Sequence, residues 1–174
     1  GLDFLKAVNR GETVKVGAVE VTAWDTPGHA RHHHAYSVGG VCFTGDVAGV
    51  RLQNSAYLSV AAAQPQFDPV AYVQSVDRLA SAHFDRLYLT HFGEVSDPTE
   101  HLRLYRQRIL EVYSFIASEI ARGGDEQQLR ERYAESEHVL ATRLGVSEAL
   151  WQTHEQSNAT AMCADGIRLA CVKG

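Results

Sequence analysis

The sequence predicts an α/β fold in which a sheet-rich region is followed by a helical region. Strand patterns dominate up to residue 96, and from residue 97 the spacing of apolar residues becomes helical. Within the first region one helical pattern lies between strand patterns, which favours α/β layering over an all-β sandwich. We therefore predict two regions, residues 1–96 and residues 97–174.

Two hairpins are expected in the first region. Apolar residues alternate with period two in 14–16 and 19–24, on either side of Gly17. A second pair of strand patterns, 35–38 and 41–44, flanks Gly39-Gly40, where positive φ costs little. The segment 47–66 mixes Gly, Asn, Ser and Ala, and we interpret it as a long loop that borders a site.

A helix and a strand complete the first region. Asp68 and Pro69 supply an N-cap and a first-turn proline, so a helix is expected to begin there. Residues 86–90 then read as a short buried strand that delivers His91. The order strand, helix, strand is the observation on which the α/β class depends.

Three helices are predicted after residue 97. The first begins at Asp97-Pro98, where Glu100 completes a capping box, and ends at Gly123-Gly124. Its apolar stripe comprises Leu102, Tyr105, Ile109, Val112, Ile116 and Ile120. The second begins at Asp125 with a weaker stripe of Leu129, Tyr133, Val139, Leu140 and Leu144, and a short third helix follows Ser147.

Composition excludes several classes of protein. No apolar run approaches the roughly 20 residues that span a bilayer, so no membrane partner is expected. Residues 1–6 lack the features of a signal peptide, and a cytoplasmic location is therefore predicted. A net charge of −5 without a basic block argues against nucleic acid as a partner. Cys42, Cys163 and Cys171 have no metal-site spacing, and we interpret them as small buried residues.

Histidine and aspartate residues mark the ends of the predicted strands. Of the 9 histidines in the chain, His29, His32, His33 and His34 fall in one short segment, while Asp46 and His91 each end an apolar run. Imidazole and carboxylate ligands together suit zinc, iron or manganese, and the absence of thiolates is compatible with a hydrolytic site. These residues therefore predict a metal site.

Three motifs resemble those of the metallo-β-lactamase fold superfamily of hydrolases. They are Thr26-Pro27-Gly28-His29 with a second histidine four positions on, Phe43-Thr44-Gly45-Asp46, and Leu89-Thr90-His91-Phe92-Gly93. The resemblance implies that residues 1–96 form the C-terminal half of an αββα sandwich and that residues 97–174 are a helical C-terminal extension. It also implies that His33, Asp46 and His91 are metal ligands, with Asp46 bridging two metals as the catalytic aspartate.

The chemistry implied by the resemblance is hydrolysis of an ester, thioester or lactone in a small-molecule substrate. Two zinc ions, or iron or manganese in their place, would lower the pKa of a bound water, and the resulting hydroxide would attack the carbonyl. We expect His29, His32, His34 and Tyr36 to support a ligand or to contact the substrate.

One motif of the family is missing from this chain. The N-terminal half of such a sandwich carries His-x-His-x-Asp-His, and the chain has no such cluster. We therefore expect the missing ligands to come from an N-terminal half of the same protein or from a companion chain, and a homo-oligomer stays open. Two alternatives remain: an iron-dependent oxidoreductase similar to persulfide dioxygenases, and an inactive fragment or subunit that binds a partner.

Overall fold

The computed structural model describes residues 11–91 and 93–173 and confirms the α/β class. Expectations for residues 1–10, Phe92 and Gly174 lie outside the described residues. The strands are β1 (Thr13–Val16), β2 (Val19–Asp25), β3 (His34–Val38), β4 (Val41–Gly45), β5 (Val50–Arg51), β6 (Leu58–Ser59), β7 (Arg86–Leu89) and β8 (Gly93–Val95). The helices are α1 (Pro69–Ala80), α2 (Pro98–Ala121), α3 (Glu126–Arg143), α4 (Glu148–Ser157) and α5 (Thr160–Lys173).

The main sheet has six strands in the order β1-β2-β3-β4-β7-β8. Strands β1 to β4 form an antiparallel meander, which confirms both predicted hairpins. The chain then crosses through α1 to place β7 parallel to β4, and β8 pairs antiparallel with β7 at the edge. The C-terminal ends of the parallel strands β4 and β7 therefore lie side by side at one end of the sheet. Asp46 and His91 follow these two strand ends.

The two faces of this sheet have different surroundings. Ala35, Cys42 and Leu87 lie on the face that packs into the main hydrophobic core. On the other face Tyr36 pairs with Phe43, which pairs with Tyr88, and the Phe43 and Tyr88 rings stack with centroids 5.5 Å apart. Tyr36 and Phe43 are 44% and 49% exposed, so this face, the open face below, carries aromatic surface in contact with solvent.

Helix α1 and helices after residue 97 pack into the same core as the first face of the sheet. Helix α2 packs on α1, and α5 packs on both α2 and α3. Leu102, Tyr105 and Ile109 of α2 and Ile167 of α5 share one buried cluster with residues of the sheet. The helical region thus contributes to a common core, while the division of the chain into domains at residue 97 stays a prediction.

Several elements differ from the sequence-based expectations. The segment 47–66 is a 3₁₀ turn at Asp46–Ala48 followed by the small β5–β6 sheet rather than one long loop. Helix α5 has no counterpart in the predicted elements. Its Gly166 is a weak helix former, but any Cβ there would lie 2.0 Å from the Ala62 carbonyl oxygen, so close packing selects glycine.

The predicted helical stripes are correct in α2 apart from its end and less accurate in α3. Ile120 is 36% exposed and Val139 is 54% exposed, so neither is part of the core. Asp97 makes no side-chain bond to the start of α2 and instead accepts a hydrogen bond of 2.7 Å from Arg51. An ion pair with strand β5 has replaced the expected cap.

The described residues carry no disulfide and no candidate membrane span. Cys42, Cys163 and Cys171 are all free; the first two are buried as expected, and Cys171 is partly buried. Among residues 11–91 and 93–173, no helix is long and apolar enough to cross a bilayer.

Candidate metal centre

The loop between β2 and β3 carries the first histidines of the site and is fastened at several points. The Thr26 N–H donates to the His33 carbonyl at 3.0 Å, which closes the loop. Ser75 of α1 donates to the Pro27 carbonyl at 2.6 Å, and the Asp68 N–H donates to the Gly28 carbonyl at 2.9 Å. Helix α1 and its N-cap residue therefore hold this loop in place.

His33 is hydrogen-bonded through both ring nitrogens. Its Nε2 accepts from the Asp46 backbone N–H at 3.0 Å, and its Nδ1 lies 2.8 Å from the Thr26 hydroxyl. Because Nε2 accepts, the ring proton of neutral His33 is on Nδ1 and is donated to Thr26. Burial, with a further contribution from nearby His29, lowers the pKa of His33 to about 4, so the ring is neutral at pH 7.

Gly45 brings Asp46 close to His33. It has φ 58° and ψ −141°, a conformation that essentially only glycine adopts. A Cβ at this position would lie 2.5 Å from His33 Nε2. The glycine thus allows the chain to turn out of β4 directly against the imidazole, and Asp46 begins the 3₁₀ turn with its carboxylate partly exposed.

The Asp46 carboxylate lies between two imidazoles. His29 Nε2 is 3.7 Å from Oδ2, and His91 Nε2 is 3.5 Å from Oδ1. The three side chains come from the β2–β3 loop, the end of β4 and the end of β7, so the sheet brings together residues that are far apart in sequence. All three are partly buried, with exposed side-chain fractions of 19% for His29, 27% for Asp46 and 31% for His91.

The tautomer of neutral His29 follows from the contact of its other ring nitrogen. His29 Nδ1 lies 2.9 Å from the Ala61 carbonyl oxygen, which can only accept a hydrogen bond. The proton of neutral His29 is therefore on Nδ1, and its Nε2 lone pair faces Asp46. A histidine that donates to a carbonyl through one nitrogen and presents the other is the usual arrangement of a metal ligand.

These donors fit zinc in type and spacing but not in number. Two ligands of one tetrahedral zinc lie about 3.3 Å apart when each bond is about 2.05 Å, close to both imidazole–carboxylate distances. The two histidines, however, face different oxygens of Asp46, so each ion would have two ligands from this chain. In agreement, no group of three or more His, Cys, Asp or Glu side chains able to hold a metal ion occurs within the described residues.

The structure brings some of the predicted site residues together and leaves others away from the site. His33, Asp46 and His91 do come together, but His33 approaches Asp46 through the backbone N–H, and its role as a ligand stays a prediction. His32 is exposed, while His34 stacks on Tyr36, a residue of the open face. Sequence reasoning did not identify the Ala61 carbonyl, although it placed this segment next to a site.

The described fold is similar to that of two solved metallo-β-lactamase proteins. The chain superimposes on a metallo-β-lactamase superfamily protein from the archaeon Sulfolobus tokodaii with a TM-score of 0.63 and 20% identity, over 95% of this chain and 52% of that protein. A metallo-β-lactamase family protein from Thermus thermophilus matches with a TM-score of 0.50 and 22% identity, over 63% of this chain and 36% of that one. The chain has the metallo-β-lactamase fold.

The matches cover more of this chain than of the two solved proteins. The chain spans about half the length of the Sulfolobus tokodaii protein, and the match includes the region after residue 97 because it covers 95% of this chain. At such identities the likeness establishes the metallo-β-lactamase fold alone. No protein-family model and no curated protein matches the chain.

Replacing Gly45 with alanine should disrupt the site by displacing His33. Gly39 is the control, because it also has positive φ, 55°, but no atom lies within 4 Å of the position that an added methyl group would take. Gly39→Ala should lower the free energy of unfolding by about 1 kcal/mol, and Gly45→Ala by roughly 2 to 4 kcal/mol because the contact with His33 adds to the backbone strain. Urea denaturation measures both losses. Equal losses at the two positions would mean that the His33 contact is unimportant.

Proposed function

We propose that the polypeptide carrying this chain is a cytoplasmic, metal-dependent hydrolase of an ester, thioester or lactone, with two zinc ions held in part by His29, Asp46 and His91. The observation that carries the proposal is the Asp46 carboxylate with one imidazole Nε2 facing each of its oxygens. A carboxylate flanked in this way can bridge two cations. Bound zinc would supply a Lewis acid and a water nucleophile available near neutral pH.

In this proposal His29 replaces His33 as the first imidazole ligand. Metal binding needs a ring nitrogen with a free lone pair, and both nitrogens of His33 are engaged by Thr26 and Asp46. His29 instead donates from Nδ1 to the Ala61 carbonyl and keeps Nε2 available. His33 then has a different task, which is to hold the backbone of Asp46 so that its carboxylate faces the two ligands.

The remaining ligands would come from a second structural half, either of the same protein or of a companion chain. Two donors per ion fall short of the three protein ligands that a catalytic zinc usually has. The open face, with Tyr36 and Phe43 about half exposed, offers an apolar surface against which a second sheet could pack. A small-molecule carbonyl substrate would lie at the edge of the sheet, above Asp46.

Metal content tests the assignment of ligands in the polypeptide purified with its complete set of ligands. His29→Ala and His91→Ala should each lose about one of two bound ions, and Asp46→Ala should lose both, because it contributes to each. His33→Ala should retain more metal than His29→Ala. His138→Ala is the control, since this imidazole pairs with Glu148 in the helical region. Elemental analysis gives the stoichiometry.

The opposite ranking, with His33→Ala losing an ion and His29→Ala retaining both, would restore His33 as the ligand. Full metal content in all the site variants would contradict a metal centre at Asp46. Iron in place of zinc in the purified protein would point to the oxidoreductase alternative.

Catalysis distinguishes a hydrolase from an oxygenase. The zinc-loaded polypeptide should hydrolyse simple thioesters or lactones, and Asp46→Ala should lower kcat/KM by at least roughly 100-fold because the carboxylate orients both ions. Oxygen consumption with persulfide substrates, measured on iron-loaded protein, should stay at background. Oxygen uptake that depends on Asp46, without hydrolysis, would replace the proposed reaction by the redox alternative.

A lysine substitution on the open face tests whether a second structural half covers that face. Phe43 and Val70 are both well exposed, at 49% and 66%, but Phe43 lies on the open face and Val70 on the first turn of α1. In the complete polypeptide Phe43→Lys should lower the free energy of unfolding by roughly 2 to 4 kcal/mol, since it would bury a charge. Val70→Lys should change it by less than about 0.5 kcal/mol. Equal, small effects in chemical denaturation would mean that the face stays open.

A further inference from the structure

Two buried tyrosine hydroxyls lie between the loops that carry His29 and Asp46. Tyr72 belongs to α1 and Tyr105 to α2, and both are 0% exposed. Their hydroxyl oxygens are 2.8 Å apart, and the Tyr72 hydroxyl donates to the Asp46 carbonyl at 2.7 Å. Since a hydroxyl has one proton, the bond between the two tyrosines must be donated by Tyr105.

The backbone of Ala61 lies between this tyrosine pair and His29, another of the proposed ligands. This backbone lies beside the Tyr105 hydroxyl, and the Ala61 carbonyl accepts a hydrogen bond from the Nδ1–H of His29. One chain of contacts therefore runs from the ring of His29 through Ala61, Tyr105 and Tyr72 to the backbone of Asp46. Within it, the bonds from Tyr105 to Tyr72 and from Tyr72 to Asp46 strengthen each other, because linked hydrogen bonds polarise one another in a low-dielectric interior.

Two glycines allow the tyrosines to approach these loops closely. A Cβ on Gly28, the residue before His29, would lie 2.3 Å from Tyr72 Cα. A Cβ on Gly49, which ends the turn that Asp46 begins, would lie 2.1 Å from Tyr105 Cε2. The tyrosines thus touch both loops through packing as well as through hydrogen bonds, and packing at this density transmits small displacements.

We infer that Tyr72 and Tyr105 are positioning residues of the metal centre, and that α2 is in this way part of the site. The inference rests on the proposed function for its consequence, which is metal affinity, but its structural content concerns the metal-free chain. The pair fixes the position of the Asp46 backbone relative to α1 and α2. It also holds the Ala61 peptide where its carbonyl accepts a hydrogen bond from His29. His29 then stays in the tautomer that presents Nε2.

Tyr105→Phe removes the hydroxyl that connects the two halves of this chain of contacts. Tyr57→Phe is the matched control, because Tyr57 is also 0% exposed and donates one hydrogen bond, to Glu137 of α3 at 2.8 Å. The first readout is nitrogen-15 NMR of the His29 ring in metal-free protein. Tyr105→Phe should mix the two tautomers and speed exchange of the Nδ1 proton, and Tyr57→Phe should leave both unchanged.

The second readout is the zinc dissociation constant of the polypeptide with its complete ligand set. Tyr105→Phe should weaken binding by roughly 10-fold, within the range found when a supporting contact of a metal ligand is lost, and Tyr57→Phe by less than about 2-fold. An unchanged His29 tautomer and affinity in Tyr105→Phe would overturn the inference, as would equal effects of both variants. If wild-type protein binds no zinc, the proposed function fails, but the NMR readout still decides the positioning role.

A measurement on the wild-type protein covers the case in which the variant does not fold. Both tyrosine hydroxyl protons should be visible by proton NMR and should exchange slowly, with cross-peaks that connect Tyr105 to Tyr72. The His29 Nδ1 proton should likewise be protected by Ala61. Hydroxyl protons that exchange at the rate of exposed tyrosines would overturn the inference without any substitution.

Discussion

The hydrogen bond from the Asp46 backbone N–H to His33 Nε2 is the constraint on which the rest of the site depends. It joins the end of β4 to the end of the β2–β3 loop, and it exists only while His33 is neutral with its proton on Nδ1. The Thr26 hydroxyl accepts a hydrogen bond from this Nδ1–H. Burial lowers the pKa of His33 enough to keep the ring neutral. Because the backbone of Asp46 is held from this side, its carboxylate is left free of His33 and faces His29 and His91.

The helical region also supports this constraint. Helix α2 supplies Leu102, Tyr105 and Ile109 to the same buried cluster that takes up the inner face of the sheet. His101 of the same helix lies 2.9 Å from the Ala48 carbonyl, within the turn that Asp46 begins. Contacts of both kinds, apolar and polar, limit how far this turn can move relative to the sheet.

The sequence allowed the fold class, the two hairpins, α1 and the start of α2 to be predicted because each carries a local signal. Alternation, paired glycines and Asp-Pro caps are read over a few residues. Helix α5 and the β5–β6 pair lack such signals. Gly166 weakens the helical pattern of α5, and it is required only by the approach of Ala62, a contact over about 100 positions of sequence that local spacing does not reveal.

The same distinction applies to the candidate site. The grouping of a histidine from the 29–34 segment with Asp46 and His91 follows from the positions of strand ends, which sequence patterns locate. The choice between His29 and His33 depends on which ring nitrogens are already occupied. That depends on Ala61 and on the φ angle of Gly45, both of which are fixed by tertiary contacts. A motif with two histidines four residues apart carries no information on this point.

A second sheet packed on the open face, as proposed, would account for two features of the described chain. The carboxylate of Asp46 divides its oxygens between two imidazoles, which leaves each proposed ion with two ligands, and the open face leaves Tyr36 and Phe43 in contact with solvent. A bound water could complete a coordination sphere, but it would not bury an aromatic surface. A second sheet packed on the open face would bring its own side chains to the edge where Asp46 lies, since side chains at the ends of adjacent packed sheets meet there. One proposed addition therefore accounts for both the ligand shortage and the exposed rings, whereas a separate cause for each would require two.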